Sequence, residues 1–94
     1  MHTLIETHRA EIVSLAERYG LYDVRVFGSM ARGDANENSD VDLLVTAPEG
    51  TSGLALGGLL MDVSQLLGRK VDVVTERALR PSLRGRILQE AIRL

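Results

Sequence analysis

Cysteine is absent from the 94 residues, which excludes disulfides, thiolate nucleophiles and cysteine-based zinc sites and suits a reducing cytoplasm. An excess of positive charge is missing as well. Eleven Lys and Arg face thirteen Asp and Glu, for a formal net charge of −2. A surface that coats nucleic acid by neutralising phosphates needs the opposite balance, so no direct nucleic-acid binding is expected and any polyanion handled is small. The N-terminus mixes polar and apolar residues from Met1, without the apolar core of a signal peptide. The most apolar stretch, residues 53–67, contains Asp62 and falls short of the roughly 20 residues that span a bilayer. Internal repeats, linkers and low-complexity tracts are lacking too, and the two histidines have no partner at ligand spacing. His2 and His8 read as ordinary helix residues.

What remains fits one soluble domain over residues 1–94, with 45% hydrophobic residues and a single modest core. A chain this short leans on self-association or on a partner for part of its stability, which leaves room for a homo- or hetero-oligomer.

Periodicity supplies the elements. Leu4, Ile5, His8, Ile12, Leu15, Ala16 and Tyr19 recur at three- and four-residue spacing and predict one amphipathic helix. Thr3 and Glu6 have capping-box spacing at its start, and Gly20 suits the left-handed residue beyond its end. Val24, Val26 and Phe27 predict a short strand stopping at Gly28, followed by a turn-rich stretch over 33–39. Residues 40–45 read as a second strand with Asp40, Asp42 and Leu44 on one face and Val41, Leu43 and Val45 on the other.

A helix over 54–67 closed by Gly68, a strand over 70–74, and a last helix carrying Leu83, Ile87, Leu88, Ala91 and Ile92 complete the order. Tyr19 and Tyr22 are expected to pack at the helix–strand junction. The apolar run around Leu59, Leu60, Leu66 and Leu67 is expected in the core, and Arg77, Arg80, Arg84 and Arg86 on a solvated face. The fold class is α/β (α+β), a small mixed sheet flanked by helices, with the strand order open.

A strand bearing acids on one face is not an ordinary core strand. Residues two apart on a strand lie roughly 6.5 to 7 Å apart on the same face, and a neighbouring strand at about 4.8 Å would bring Asp72 to them. At about 6 Å and an effective dielectric near 20, each like-charge pair costs roughly 3 kcal/mol, so the group calls for a cation or raised pKa values. Carboxylates without His or Cys suit hard ions, Mg²⁺ first and Mn²⁺ second, and two such ions can clamp a phosphoryl displacement. Gly28 and Ser29 lie immediately after the first strand. Glycine admits a phosphate close to the backbone, Ser29 offers a hydroxyl and an amide, and Arg32 adds a charge-assisted contact. A Gly-Ser pair alone is a weak signal, and Ser39 has the simpler role of shaping the turn before the strand open to it.

Together, Gly28-Ser29-Met30-Ala31-Arg32-Gly33 and Ser39-Asp40-Val41-Asp42-Leu43-Leu44-Val45, with ten residues between Ser29 and Asp40, resemble the signature of minimal nucleotidyltransferase (MNT) proteins. These belong to the DNA polymerase β-like superfamily. Four fixed residues at about 5 to 7% usage each meet by chance on the order of once in 10⁵ starting positions. The resemblance continues through residues 67–74 and 87–92, nearly the whole chain.

It implies that Gly28 and Ser29 hold a nucleoside triphosphate, with Arg32 and Ser39 as further nucleotide contacts. Asp40 and Asp42 bind Mg²⁺, with Asp72 as a third metal ligand that helps deprotonate or orient the incoming hydroxyl. Ser29 and the three acids would form the catalytic set. Larger members carry a further lobe for base and acceptor, which this chain ends too soon to hold, so specificity is expected from elsewhere. The resemblance further implies an antitoxin that attaches AMP from ATP to a tyrosine of a HEPN-domain toxin. The alternative is a non-catalytic antitoxin that blocks its toxin stoichiometrically. A small-molecule transferase is disfavoured, as no acceptor-binding segment is left over.

Overall fold

The computed structural model describes residues 1–94 throughout. The first amphipathic segment forms two helices, α1 (Thr3–Thr7) and α2 (Arg9–Arg18), rather than the single helix that the spacing predicts. The break falls at His8, whose backbone leaves helical values (φ −108°, ψ 14°) and whose Nδ1 lies 2.9 Å from the Leu4 carbonyl oxygen. The cap also differs from the Thr3–Glu6 box: His2 is the N-cap, and its Nδ1 accepts from the Leu4 amide at 3.0 Å. Gly20 sits at φ +71° just past α2, as a left-handed terminating residue does.

The sheet comprises β1 (Tyr22–Phe27), β2 (Val41–Thr46), β3 (Val71–Thr75) and β4 (Ile92–Arg93), in the order β3-β2-β1-β4. β1 and β2 are antiparallel, β2 and β3 parallel, and β1 and β4 antiparallel, so the sheet is mixed. The strand order left open by the sequence is thereby answered. A single helical turn, α3 (Ser29–Arg32), follows β1; α4 (Gly53–Leu67) joins β2 to β3; and a 3₁₀ turn (Glu76–Ala78) leads to α5 (Pro81–Glu90). The last helix is shorter than its periodicity predicts. It ends at Glu90, Ala91 turns extended, and Ile92 pairs with Val26 in β4.

Alternation on the strands sorts the core. Val24 and Val26 of β1, Val41, Leu43 and Val45 of β2, and Val71 and Val73 of β3 are buried together with Ile5, Ile12 and Ala16 from α1 and α2 and Leu59, Val63 and Leu67 from α4. Burying each of the Val, Leu and Ile side chains contributes about 1.5–3 kcal/mol. Leu60 and Leu66 pack against that cluster, partly buried. α4 is capped at both ends, by the Ser52 hydroxyl accepting from the Leu54 amide at 3.0 Å and by Gly68 in the left-handed conformation. Its crossing with α2 is close: the Tyr19 ring lies over Gly58, and the Tyr19 hydroxyl donates to Asp62. Tyr22 does not share that packing and is 54% exposed. Arg77, Arg80, Arg84 and Arg86 are all exposed, and α5 has no buried residue.

Candidate active site

Three elements meet at one end of the sheet: the end of β1, where the chain enters α3, and the starts of β2 and β3. In the parallel ladder Asp42 is the direct partner of Asp72, and in the antiparallel ladder it is the partner of Phe27, the residue before Gly28. Topology thus places the Gly-Ser segment, Asp42 and Asp72 side by side, with Asp40 two residues upstream of Asp42. Asp40, Asp42, Lys70 and Asp72, with Leu60, Ser64 and Val71, line an open groove of about 410 Å³.

Gly28 is fixed twice over. Its φ is +71°, a region that favours glycine. A Cβ built on it would also stand 2.5 Å from Asp42 Oδ2, so only a residue without a side chain lets that carboxylate lie against the backbone. Ser29 and Met30 then open α3, whose Ala31 and Arg32 amides both donate to the Gly28 carbonyl at 3.1 Å. The first amides of a helix have no partner inside it.

Asp42 is half-buried and its carboxyl is held above the usual carboxylate range. Burial is the main cause, followed by the charges of Asp72 and Asp40; Arg32 pulls the other way and Glu90 adds to the rise. The neighbouring acids differ. Asp40 and Asp72 are exposed, and Asp40 leans toward Lys70 at 4.0 Å. The three carboxylates share a groove, yet no three acidic or histidine side chains stand as a ready three-ligand cluster. Like charges disfavour a tighter cluster of carboxylates without a cation between them. The donor set still fits a hard divalent cation, since Asp42 and Asp72 are register partners and every donor is a carboxylate oxygen.

The remaining residues have partners of their own. Ser39 Oγ accepts from the Asn36 amide at 2.8 Å, so its hydroxyl serves the turn before β2. Arg69 ties that turn to the start of β3, with Nη1 donating to the Asn36 and Ser39 carbonyls at 2.6 and 3.2 Å. Arg32 donates to Asp34 at 3.2 Å and to Glu90 at 2.8 Å. Gly28, Ser29, Arg32 and Ser39 do not line the groove, which of the expected site residues holds the three acids alone. Sequence reasoning gave no role to Lys70, Ser64 or Glu90. Lys70 was readable from its place two residues before Asp72, whereas Glu90 is 58 residues from Arg32 and nothing local signals their contact.

Residues 9–94 match the family model described as the nucleotidyltransferase domain. The chain belongs to the nucleotidyltransferase domain family. It is 38% identical over 84 residues, 89% of this chain and 90% of the other, to a Methanocaldococcus jannaschii protein provisionally named a protein adenylyltransferase. It is 36% identical over 92 residues, 98% of this chain and 90% of the other, to protein adenylyltransferase MntA of Thermococcus cleftensis. A solved structure provisionally described as a minimal nucleotidyltransferase superposes with a TM-score of 0.84 at 48% identity, covering 100% of this chain and 97% of that one.

Two more distant structures share the nucleotidyltransferase fold. One is a toxin–antitoxin with AMP-PNP, at TM-score 0.77 and 24% identity over 89% of this chain and 69% of that one. The other is a tri-AMPylated HEPN toxin of Shewanella oneidensis in complex with its MNT antitoxin, at TM-score 0.67 and 20% identity over 99% and 71%.

Proposed function

We propose that this nucleotidyltransferase moves AMP from ATP to a tyrosine hydroxyl of a HEPN-domain toxin and thereby acts as its antitoxin. The observation that carries the reading is the Asp42 carboxylate lying against Gly28, with Asp72 as its register partner. It joins a phosphate-binding type of backbone to a pair of acids at one end of the sheet. The 36% identity to MntA over nearly the whole chain supports a protein acceptor, and the fold shared with toxin complexes supports the partner.

Gly28 and Ser29 receive the triphosphate through backbone amides and the Ser29 hydroxyl, and Arg32 adds charge from the next turn. Ser39 sets the turn that delivers Asp40 and contributes to the nucleotide site from there. Asp40, Asp42 and Asp72 would hold Mg²⁺, which lowers the cost of charge developing on the phosphate oxygens. The acceptor oxygen attacks the α-phosphorus, the bond from that phosphorus to the bridging oxygen breaks, and pyrophosphate leaves. Asp72, the exposed member of the pair, orients the acceptor hydroxyl and takes its proton.

Incubating the chain and a HEPN toxin partner with ATP labelled in the α-phosphate and Mg²⁺ should label the toxin and release pyrophosphate. A toxin that is silenced without label would replace this reading with a stoichiometric binding antitoxin.

A further inference from the structure

Arg32 is held on two sides. Its Nη1 donates to Glu90 Oε2 at 2.8 Å and its Nε to Asp34 Oδ2 at 3.2 Å. The two carboxylates are not equivalent: the Asp34 side chain is 62% exposed and the Glu90 side chain only 19%. An exposed ion pair fixes little, whereas a charge-assisted bond to a largely desolvated carboxylate sets a geometry. A guanidinium carries five N–H groups in a rigid plane, so two committed donors leave three, all on the Nη atoms.

The fold spends a whole element on bringing Glu90 there. It is the last residue of α5; the chain turns extended at Ala91 (φ −63°, ψ 136°) and enters β4 at once. β4 is tied to β1 by the Val26–Ile92 pairing, by the Leu94 amide donating to the Val24 carbonyl at 2.8 Å, and by Arg93 against Asp23 at 2.9 Å. β1 is also the strand that runs into Gly28, Ser29 and the turn bearing Arg32. One strand therefore sets the position of both partners, and α5, which buries nothing in the core, delivers its terminal carboxylate to the nucleotide end of the sheet.

We propose that Glu90 is a positioning residue for nucleotide recognition, fixing the Arg32 guanidinium so that its uncommitted N–H groups face the triphosphate on Gly28 and Ser29. The inference rests on the reading of Arg32 as a nucleotide contact. A Glu90 that merely competed with phosphate for Arg32 would have the opposite sign, since its removal would tighten ATP binding.

The test is ATP binding with Mg²⁺, measured by calorimetry on the intact chain and on Glu90→Ala, Glu90→Gln, Arg32→Ala and the Glu90→Ala/Arg32→Ala double variant. Glu90→Ala should weaken ATP about tenfold, the scale of one hydrogen bond to a charged group. Glu90→Gln, whose amide oxygen still accepts from Arg32, should fall between it and the wild type. The double variant should bind no more weakly than Arg32→Ala alone, because Glu90 acts only through Arg32. A structural Glu90 would instead lower the melting temperature and leave the affinity of the folded chain unchanged.

Unchanged or tightened binding in Glu90→Ala, or losses that multiply in the double variant, overturns the inference alone. An Arg32→Ala chain that binds like the wild type, or a wild type that binds no ATP, overturns the reading of the nucleotide site and the inference with it.

Discussion

The two faces of β2 differ in what they do for the protein. On one face Val41, Leu43 and Val45 have no exposed surface and pack into the cluster shared by β1, β3, α2 and α4. On the other face, one residue out of phase, Asp42 is half-buried beside Asp72 with its carboxyl against Gly28. Alternation along a single strand puts the two within one residue of each other. The packed face holds the strand in register, and the register brings the acids together. Leu44 on that face is buried too, but the acids beside it work against folding, since desolvation and like charge both disfavour the ionised carboxylate. Stability and chemistry are thus opposed across one strand, and substitutions on each face test how far the one depends on the other.

The largest contrast is expected from Asp42→Asn. If Asp42 holds a metal ion as proposed, its loss removes several kcal/mol of transition-state stabilisation, so AMP transfer should fall by roughly a thousandfold. Stability should move the other way. A carboxyl whose pKa is raised in the fold binds its proton more tightly folded than unfolded. Its effect on stability therefore declines as pH rises from the ordinary Asp value through the raised one, and above that the full penalty remains. At neutral pH in chelator, Asp42→Asn should melt no lower than the wild type, and the decline on the acid side should flatten. Melts across pH 3 to 8, with labelled transfer assayed in parallel, check both halves. An Asn variant that is inactive but clearly less stable in chelator would show that the acidic face also supports the fold.

Leu43→Ala breaks the opposite face. Leu43 is fully buried and paired with Val26 and Val73 on either side. Removing it should cost about 2–5 kcal/mol, and for a domain of this size each kcal/mol lowers the melting temperature by about 4–8 °C. The transfer rate per folded molecule, measured well below that melting point, should stay within a few-fold of the wild type. A rate that collapses while the chain remains folded would mean that core packing sets the spacing of Asp42 and Asp72 more finely than strand register alone.

The acidic face was readable in the sequence because it depends on local period. Two acids at alternate positions between valines and leucines, and a glycine at a strand end, carry their meaning within a few residues. Gly20 and Gly68 were readable for the same reason, as left-handed residues past helix ends. What escaped was decided elsewhere in the chain or by a single residue's geometry.

The apolar spacing of Leu4, Ile5, His8 and Ile12 runs unbroken through the point where the backbone departs from the helix at His8. Ile92 stands four residues after Leu88, so helical spacing and β-branching made competing claims, and pairing with Val26 decided for the strand. The partners of Arg32 and the lean of Asp40 toward Lys70 are side-chain outcomes that no spacing encodes.

The smallest predicted effect lies where α4 packs on α2, and separates two adjacent glycines that look alike in sequence. Gly57 and Gly58 both lie inside α4, where glycine costs roughly 1 kcal/mol relative to alanine. At Gly57 a Cβ meets nothing within 4 Å, so Gly57→Ala should stabilise by about that amount. At Gly58 a Cβ would stand 2.5 Å from Tyr19 Cε1 and 2.8 Å from Cζ. The ring would have to shift and strain or release its hydrogen bond to Asp62.

Overpacking of this kind costs about 1–3 kcal/mol, which outweighs the gain in helix propensity, so Gly58→Ala should melt below the wild type while Gly57→Ala melts above it. Both should transfer AMP at the wild-type rate, because neither touches β2 or the groove. Equal melting temperatures for the two would mean that Tyr19 swings aside without cost and that the contact between α2 and α4 is looser than the packing around Leu43.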